Sequence, residues 1–268
     1  MTDHVTYRLA VVGGGNMGAA LVGGLLAAGW ASTDLAVVEV LAERAVALRA
    51  MFPGVAVLAD VPPCESALIA VKPNDVPAAC TAAAQAGARR VLSIAAGISI
   101  EALQDAAGPD VAVVRAMPNT PALVGKGAAA ISGGDTTDDA DLDWAEGILG
   151  SVGIVVRVPE SQLDAVTGLA GSGPAYLFLV AEALIDAGVL AGLSRANSEA
   201  LVTQLFVGSA ALLAERGEPA RRRAEVTSPG GTTAAGLRAL EEHAVRAAFL
   251  EAVMAAAHRS SELGKRSL

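Results

Sequence analysis

Aromatic side chains are scarce in this 268-residue chain: they make up 3% of it, although 53% of its residues are apolar. A core without large rings must be packed from Ala, Val, Leu and Gly, which favours close contact between backbones. Cysteine is scarcer still. Cys64 and Cys80 form no CxxC pair and have no clustered histidines beside them, so metal and redox centres lack ligands and two buried thiols are predicted. Two cysteines do not make a disulfide framework. The opening MTDHVTYR also lacks the cationic start and apolar run of a secretory signal, so the expected compartment is the cytoplasm. His4, His243 and His258 stand apart, and a lone histidine is more often a surface or packing residue than a catalytic one. No nucleophilic triad emerges. Positive charge is in deficit: the formal net charge is −9, the wrong sign for a general nucleic-acid surface.

One long apolar run is present. Leu9 to Trp30 carries no charge and is long enough to cross a bilayer. Its three successive glycines and asparagine fit a strand, a turn and a helix better, so a soluble protein is expected. The first part of the chain alternates apolar strand candidates with helical stretches: Arg8–Val12 then Met17–Ala28, Leu35–Val40 then Glu43–Met51, Ala67–Val71 then Asp75–Gln85, Val91–Ile94 then Ile100–Ala107, and Val111–Ala116. That rhythm predicts a mostly parallel sheet covered on both faces. Further strands are expected at Ala128–Ile131 and Ile154–Val158, with an acidic helix between them whose carboxylates favour its N-terminus.

After Val158 the strand runs stop. Helices are expected at Pro174–Ala187, Ser194–Arg216, Pro219–Glu225 and, as one long helix with a buried stripe, Thr232–Leu263. The fold class is therefore α/β, with a sheet domain over residues 1–160 and an all-helical domain over 161–268; Pro159–Asp164 is the expected boundary. Pro174–Val180 is apolar almost all round, which requires burial on several sides and points to a subunit interface.

Gly13-Gly14-Gly15-Asn16-Met17-Gly18 matches G-x-G-x-x-G between a strand and a helix, the setting in which the pattern binds a dinucleotide. Gly13 would make the tight turn, Gly15 would let a pyrophosphate approach, and Gly18 would let helix pack on strand, in a Rossmann-like domain. The same residues would also suit a glycine-rich turn of an unrelated α/β protein. Glu39, at the end of the second strand, stands near the position of the acidic residue that binds a ribose 2′-hydroxyl. A carboxylate there repels a 2′-phosphate and leans towards NADH over NADPH, unless it faces solvent. Lys72 and Pro73, just beyond another strand end, could meet a cofactor, or Lys72 could be an ordinary solvated lysine.

Taken in order, GGGNMG, AVKPND (Ala70–Asp75), SIAAGI (Ser93–Ile98), MPNTPALVGKG (Met117–Gly127), GSGPAYLF (Gly171–Phe178) and VTSPGGTTAAGL (Val226–Leu237) make the chain resemble pyrroline-5-carboxylate reductase. The resemblance spans almost the whole chain. It implies hydride transfer from NADPH or NADH to the imine carbon of 1-pyrroline-5-carboxylate, giving L-proline. It also implies a Rossmann domain followed by a helical dimerisation domain, with dimers that commonly assemble further into a decamer; the charge, the glycine turn and the cysteine spacing leave no expected role for nucleic acid, membrane or metal.

By the same resemblance the cofactor meets Gly13, Gly15, Asn16, Met17, Gly18, Glu39, Val71, Lys72, Pro73, Ala96, Gly97, Pro118 and Asn119. The substrate meets Asn119, Ser228, Gly230, Gly231, Thr232 and Thr233. Backbone N–H groups of Gly231, Thr232 and Thr233, helped by the Ser228 hydroxyl, would hold the carboxylate at a helix start, and Thr233 would hydrogen-bond the imine nitrogen. Pro, Gly and Thr would equally build a plain turn and helix cap, and Asn119 a plain turn between prolines.

Two departures stand out. EVLAER replaces the small hydroxyl or basic residues common in that turn, and Arg222 stands where an aliphatic residue is usual. Arg221 to Arg223 read as a solvated helix face rather than an anion patch. A dehydrogenase of β-hydroxy acids would need a catalytic lysine in its helical domain, and Pro174–Ala187 and Ser194–Arg216 contain none; Lys265 lies near the terminus. A non-catalytic nucleotide-binding protein would keep the glycine loop but have no need for SPGGTT beside MPNTP.

Overall fold

A computed structural model describes residues 5–266; His4 lies outside the described residues. The first part of the chain runs β1 (Leu9–Val12), α1 (Asn16–Ala27), β2 (Leu35–Val38), α2 (Ala42–Met51), β3 (Ala56–Leu58), β4 (Ser66–Ile69), α3 (Val76–Gln85), β5 (Arg90–Ser93), α4 (Ile100–Ala107), β6 (Ala112–Met117), β7 (Gly127–Gly133), α5 (Asp139–Gly150) and β8 (Gly153–Arg157). These strands form one sheet in the order β3-β2-β1-β4-β5-β6-β7-β8. All neighbours are parallel except β6 and β7.

Strand side chains point alternately to the two faces, and both faces are covered except at the edge strand β8, where Ile154 and Val156 are exposed. Leu9, Val11, Leu35, Val37 and Leu68 join one apolar core with Leu21, Leu25 and Ile148. Ala10, Val12, Ala67, Ile69 and Val91 join the other with Val76, Cys80 and Leu103. The charge-free run at Leu9–Trp30 is thus a short strand, a glycine turn and a 12-residue helix. Asp138 caps α5, with Asp141 completing a reciprocal capping box, as the acidic start of that segment predicts. Asp141 also pairs with Arg90 at 2.6 Å. The short edge strand β3 has no counterpart in the sequence reading: three residues are too few for an alternation to register.

Beyond β8 every element is helical. The order is α6 (Leu163–Val166), a π-helical turn at Thr167–Gly171, α7 (Gly173–Leu190), α8 (Arg195–Arg216), α9 (Pro219–Glu225), α10 (Thr232–Glu242) and α11 (Val245–Arg266). The single helix expected over Thr232–Leu263 is two. Ala244 takes a left-handed φ of +52° between α10 and α11, a break that no glycine or proline announces.

By its contacts the chain divides into two compact units, one running to Ser172 and resuming at Met254, the other Gly173–Val253. Within Gly173–Val253, α7 packs on α8, with Gly188 against Ser198. Val202 is the sole buried apolar side chain there, while Leu177, Phe178 and Leu179 are each more than half exposed. So much open apolar surface needs a covering surface.

Both cysteines are buried, and desolvation pushes the thiol of Cys64 up from 9.0 to about 11 and that of Cys80 to about 12. The folded pKa values are raised, so the contribution of these thiols to stability is complete below pH 9.0 and is lost as pH climbs towards 11 and 12. The melting temperature should fall across that window, with a shallower slope in a Cys64→Ala/Cys80→Ala double variant. An identical slope in the double variant would assign the alkaline loss to other groups.

Candidate active site

The sheet order reverses between β1 and β4, because the chain leaves β1 for β2 and β3 and returns to the other side of β1 with β4. Ligands of open α/β sheets bind beyond the carboxyl ends of the strands at such a reversal. Four loops line up there because β1, β4, β5 and β6 are parallel neighbours. They carry Gly13–Gly18, Val71–Pro73, Ala96–Gly97 and Pro118–Asn119, so the sequence positions assigned to a cofactor along one strand edge come together.

The glycine loop is shaped by close approach. Gly13 has a φ of +108°, and a Cβ there would stand 2.5 Å from the carbonyl oxygen of Ala70, which closes the first loop onto the second. A Cβ at Gly18 would overlap the carbonyl oxygen of Gly13. At Gly15, the N-cap of α1, a Cβ would meet nothing within 4 Å. No side chain caps α1 and its first turn holds no acid, so its first N–H groups have no side-chain acceptor. This cradle fits a dinucleotide pyrophosphate.

Glu39 is half-buried at the end of β2, and one carboxylate oxygen accepts the N–H of Leu41 at 2.9 Å. Its other oxygen stands 3.0 Å from where a Cβ on Gly14 would be, so the carboxylate lies beside the glycine loop. Arg44 donates from Nε to the carbonyl of Gly14 at 2.6 Å. Arg44, inside EVLAER, was not singled out in the sequence; its place in the first turn of the helix that follows an acidic strand end was the available signal. Lys72 and Pro73 are exposed, Ala96 is exposed, and Gly97 and Pro118 are buried.

Asn119 is committed at both ends of its amide. Oδ1 accepts the N–H of Ala128 at 2.8 Å, and Nδ2 donates to the carbonyl of Ala170 at 3.1 Å, inside the π-helical turn. Such turns free carbonyls from the helical ladder. Asn119 thereby ties the end of β6 to that turn, which nothing in the spacing of MPNTP announces.

The Val226–Leu237 segment belongs to the unit Gly173–Val253. Ser228–Gly231 forms a tight turn with Pro229 and Gly230 at its centre; Gly230 has a φ of +71°, and the N–H of Gly231 donates to the carbonyl of Ser228 at 3.1 Å. The Gly231 N–H is thus paired within the turn in this structure. The Ser228 hydroxyl tucks against Gly231, where a Cβ would overlap it. Gly231 N-caps α10 with no side-chain cap, so the first-turn N–H groups of Thr232 and Thr233 lack a helical acceptor, and both residues are exposed. Arg222, just upstream, pairs with Glu225 at 2.8 Å and is mostly buried. His243 and His258 lie in or next to helices and neither stands in these loops. Among the described residues, no group of three or more His, Cys, Asp and Glu side chains could hold a metal ion.

Comparison with known proteins matches both halves. A family described as pyrroline-5-carboxylate reductase dimerisation matches residues 160–263, and one described as NADP oxidoreductase coenzyme F420-dependent matches residues 8–97. A pyrroline-5-carboxylate reductase of Corynebacterium melassecola is 43% identical over 96% of this chain and 98% of its own. Among solved structures, a pyrroline-5-carboxylate reductase from Coxiella burnetii superposes with a TM-score of 0.89 at 32% identity, covering 96% of this chain and 98% of that one. A Plasmodium falciparum pyrroline carboxylate reductase with NADP bound gives a TM-score of 0.83 at 29% identity, covering 97% and 99%.

Proposed function

We propose that this chain, which belongs to the pyrroline-5-carboxylate reductase family, reduces 1-pyrroline-5-carboxylate to L-proline. The observation that carries this reading, on a chain of this family, is the uncapped start of α10 directly behind the Ser228–Gly231 turn. A small anionic imine needs donors at its carboxylate and a partner at its ring nitrogen. The N–H groups of Thr232 and Thr233, the Ser228 hydroxyl and the positive end of the α10 dipole would hold the carboxylate without an arginine. Gly230 and Gly231 keep side chains out of that approach. The Thr233 hydroxyl would donate to the imine nitrogen and orient it as its basicity grows. A threonine is a weak acid, so its part is orientation and hydrogen bonding.

A nicotinamide cofactor belongs to this reaction, and when bound it supplies the hydride. Gly13, Gly15, Asn16, Met17 and Gly18 would hold its pyrophosphate, with Val71, Lys72 and Pro73 on one side and Ala96, Gly97 and Pro118 on the other. Asn119 would keep the end of β6 and the π-helical turn in register with that loop set, a positioning role. Residues 161–268 are proposed as the substrate-binding and dimerisation domain, following the 1–160 dinucleotide domain, with the dimer as core unit and a decamer as the larger assembly. One helical run, Glu160–Leu190, is long and apolar enough by composition to cross a membrane; burial against a partner subunit is the use we propose for it. A cytoplasmic enzyme without nucleic-acid partners suits the acidic charge and the free, buried thiols.

NADH is the proposed preference. The Glu39 carboxylate beside Gly14 would accept from a ribose hydroxyl and repel a 2′-phosphate. Loss of reduced-nicotinamide absorbance with 1-pyrroline-5-carboxylate, followed in parallel with NADH and NADPH and with proline identified as product, tests both points. NADH should give the higher kcat/KM, and Glu39→Gln should move the ratio towards NADPH by about tenfold. A higher kcat/KM with NADPH would sink the preference; no proline with either cofactor from a folded oligomer would sink the activity.

A further inference from the structure

The loop after β5 is held from behind by groups that no cofactor contact explains. Ser99 caps α4 by accepting the N–H of Ala102 at 3.2 Å. The Glu160 carboxylate accepts the N–H of Ile100 at 2.7 Å and pairs with Arg115 at 2.8 Å, so it pins the loop's far end to β6. The end of α11 closes the other flank. A Cβ built on Gly97 would lie 3.7 Å from the backbone of Leu263 and Gly264, and one on Gly264 would lie 3.6 Å from the carbonyl oxygen of Gly97. Helix and loop backbones therefore touch through two glycines. Gly97 is buried, whereas Ala96 beside it stays exposed.

One further bond fixes the helix in that seat. Ser260, itself only 7% exposed, donates its hydroxyl to Asp164 Oδ1 at 2.6 Å. A short hydroxyl-to-carboxylate bond is of the stronger, charge-assisted kind. Ser260 lies one turn before Gly264, so this bond sets how the last turn of α11 meets Gly97.

We propose that Ser260 and Asp164 are positioning residues for the nicotinamide cofactor: their bond seats the end of α11 against Gly97 and holds the Ala95–Ser99 loop in its binding shape. Neither side chain touches the cofactor in this arrangement; both act through the loop. The inference rests on the reading above that Ala96 and Gly97 border the cofactor.

The test is direct binding. Reduced cofactor is titrated into the full-length oligomer and followed by nicotinamide fluorescence, with kinetics alongside. Ser260→Ala and Asp164→Ala should each raise the cofactor Kd by roughly five- to tenfold. The KM for the imine should stay within about twofold, the two changes should not add in the double variant, and Ser260→Thr should restore binding. A purely structural bond would lower the melting temperature and leave the cofactor Kd alone. Ala96→Asp, which sets a carboxylate on the exposed side of the loop, separates the two ideas. Weakened cofactor binding in Ala96→Asp with unchanged Kd in both Ser260→Ala and Asp164→Ala overturns the latch alone. Unchanged binding in all three overturns the placement of the loop as well.

Discussion

Thr233→Ala is expected to lower kcat for imine reduction by about 100-fold while changing the Kd of reduced cofactor by less than about twofold. The expectation follows from where the residue stands. Thr233 is exposed in the first turn of α10, behind a turn whose Pro229 and Gly230 fix the approach of the chain. Its backbone N–H survives substitution, so carboxylate binding should be weakened only modestly. What is lost is the hydroxyl, the donor proposed for the imine nitrogen, whose bond would strengthen as hydride arrives and the nitrogen becomes basic. A donor that strengthens towards the transition state acts on kcat more than on binding. Thr233→Ser keeps the hydroxyl and should retain most of the rate. An unchanged kcat in Thr233→Ala, with fold and oligomer intact, would remove the hydroxyl from the reaction.

The strand-end loops could be read from the sequence because their determinants are local. Gly13 must be glycine for a positive φ and a backbone contact with Ala70, and its placement between a charge-free strand and a helix said as much. The interior strands announced themselves because burial on both faces leaves continuous Val, Ile, Leu and Ala, and the boundaries of the expected strands slipped by only a residue or two, whereas the three-residue β3 gave no signal. The features that escaped depend on distant pairs. Asn119 binds the carbonyl of Ala170, Glu160 binds the N–H of Ile100, and Ser260 binds Asp164; each bond joins residues far apart in the chain whose types are ordinary at their own positions. The break at Ala244 escaped for the opposite reason, since alanine is the strongest helix former and here takes a left-handed conformation. The Gly231 N–H shows a third case. The residue types announce the turn, but only the hydrogen bond to Ser228 shows which of its donors is already paired.

Phe178→Asp should leave the chain unable to form its dimer and without measurable activity. Phe178 is 66% exposed on α7, between Leu177 at 53% and Leu179 at 65%, and the whole unit Gly173–Val253 buries a single apolar side chain, Val202. Such a unit cannot be held by its own core, and the match of residues 160–263 to a dimerisation family supports a second copy as the partner expected to cover this face. In a two-fold interface one substitution is felt twice. Exchanging a buried phenyl ring for a carboxylate costs about 3 kcal/mol per copy, or about 6 kcal/mol per dimer, which corresponds to a loss of roughly 10,000-fold in association. Size-exclusion chromatography with light scattering should then report monomer or aggregate in place of the oligomer. The catalytic consequence follows because α10, with Thr232 and Thr233 at its start, belongs to the same unit and depends on the same packing. A Phe178→Asp protein that remained dimeric would place the interface on another helix, with Leu201 and Leu205 of α8 next to be tested. A monomer that kept full activity would instead show that the helical unit folds unaided, against the near absence of a core.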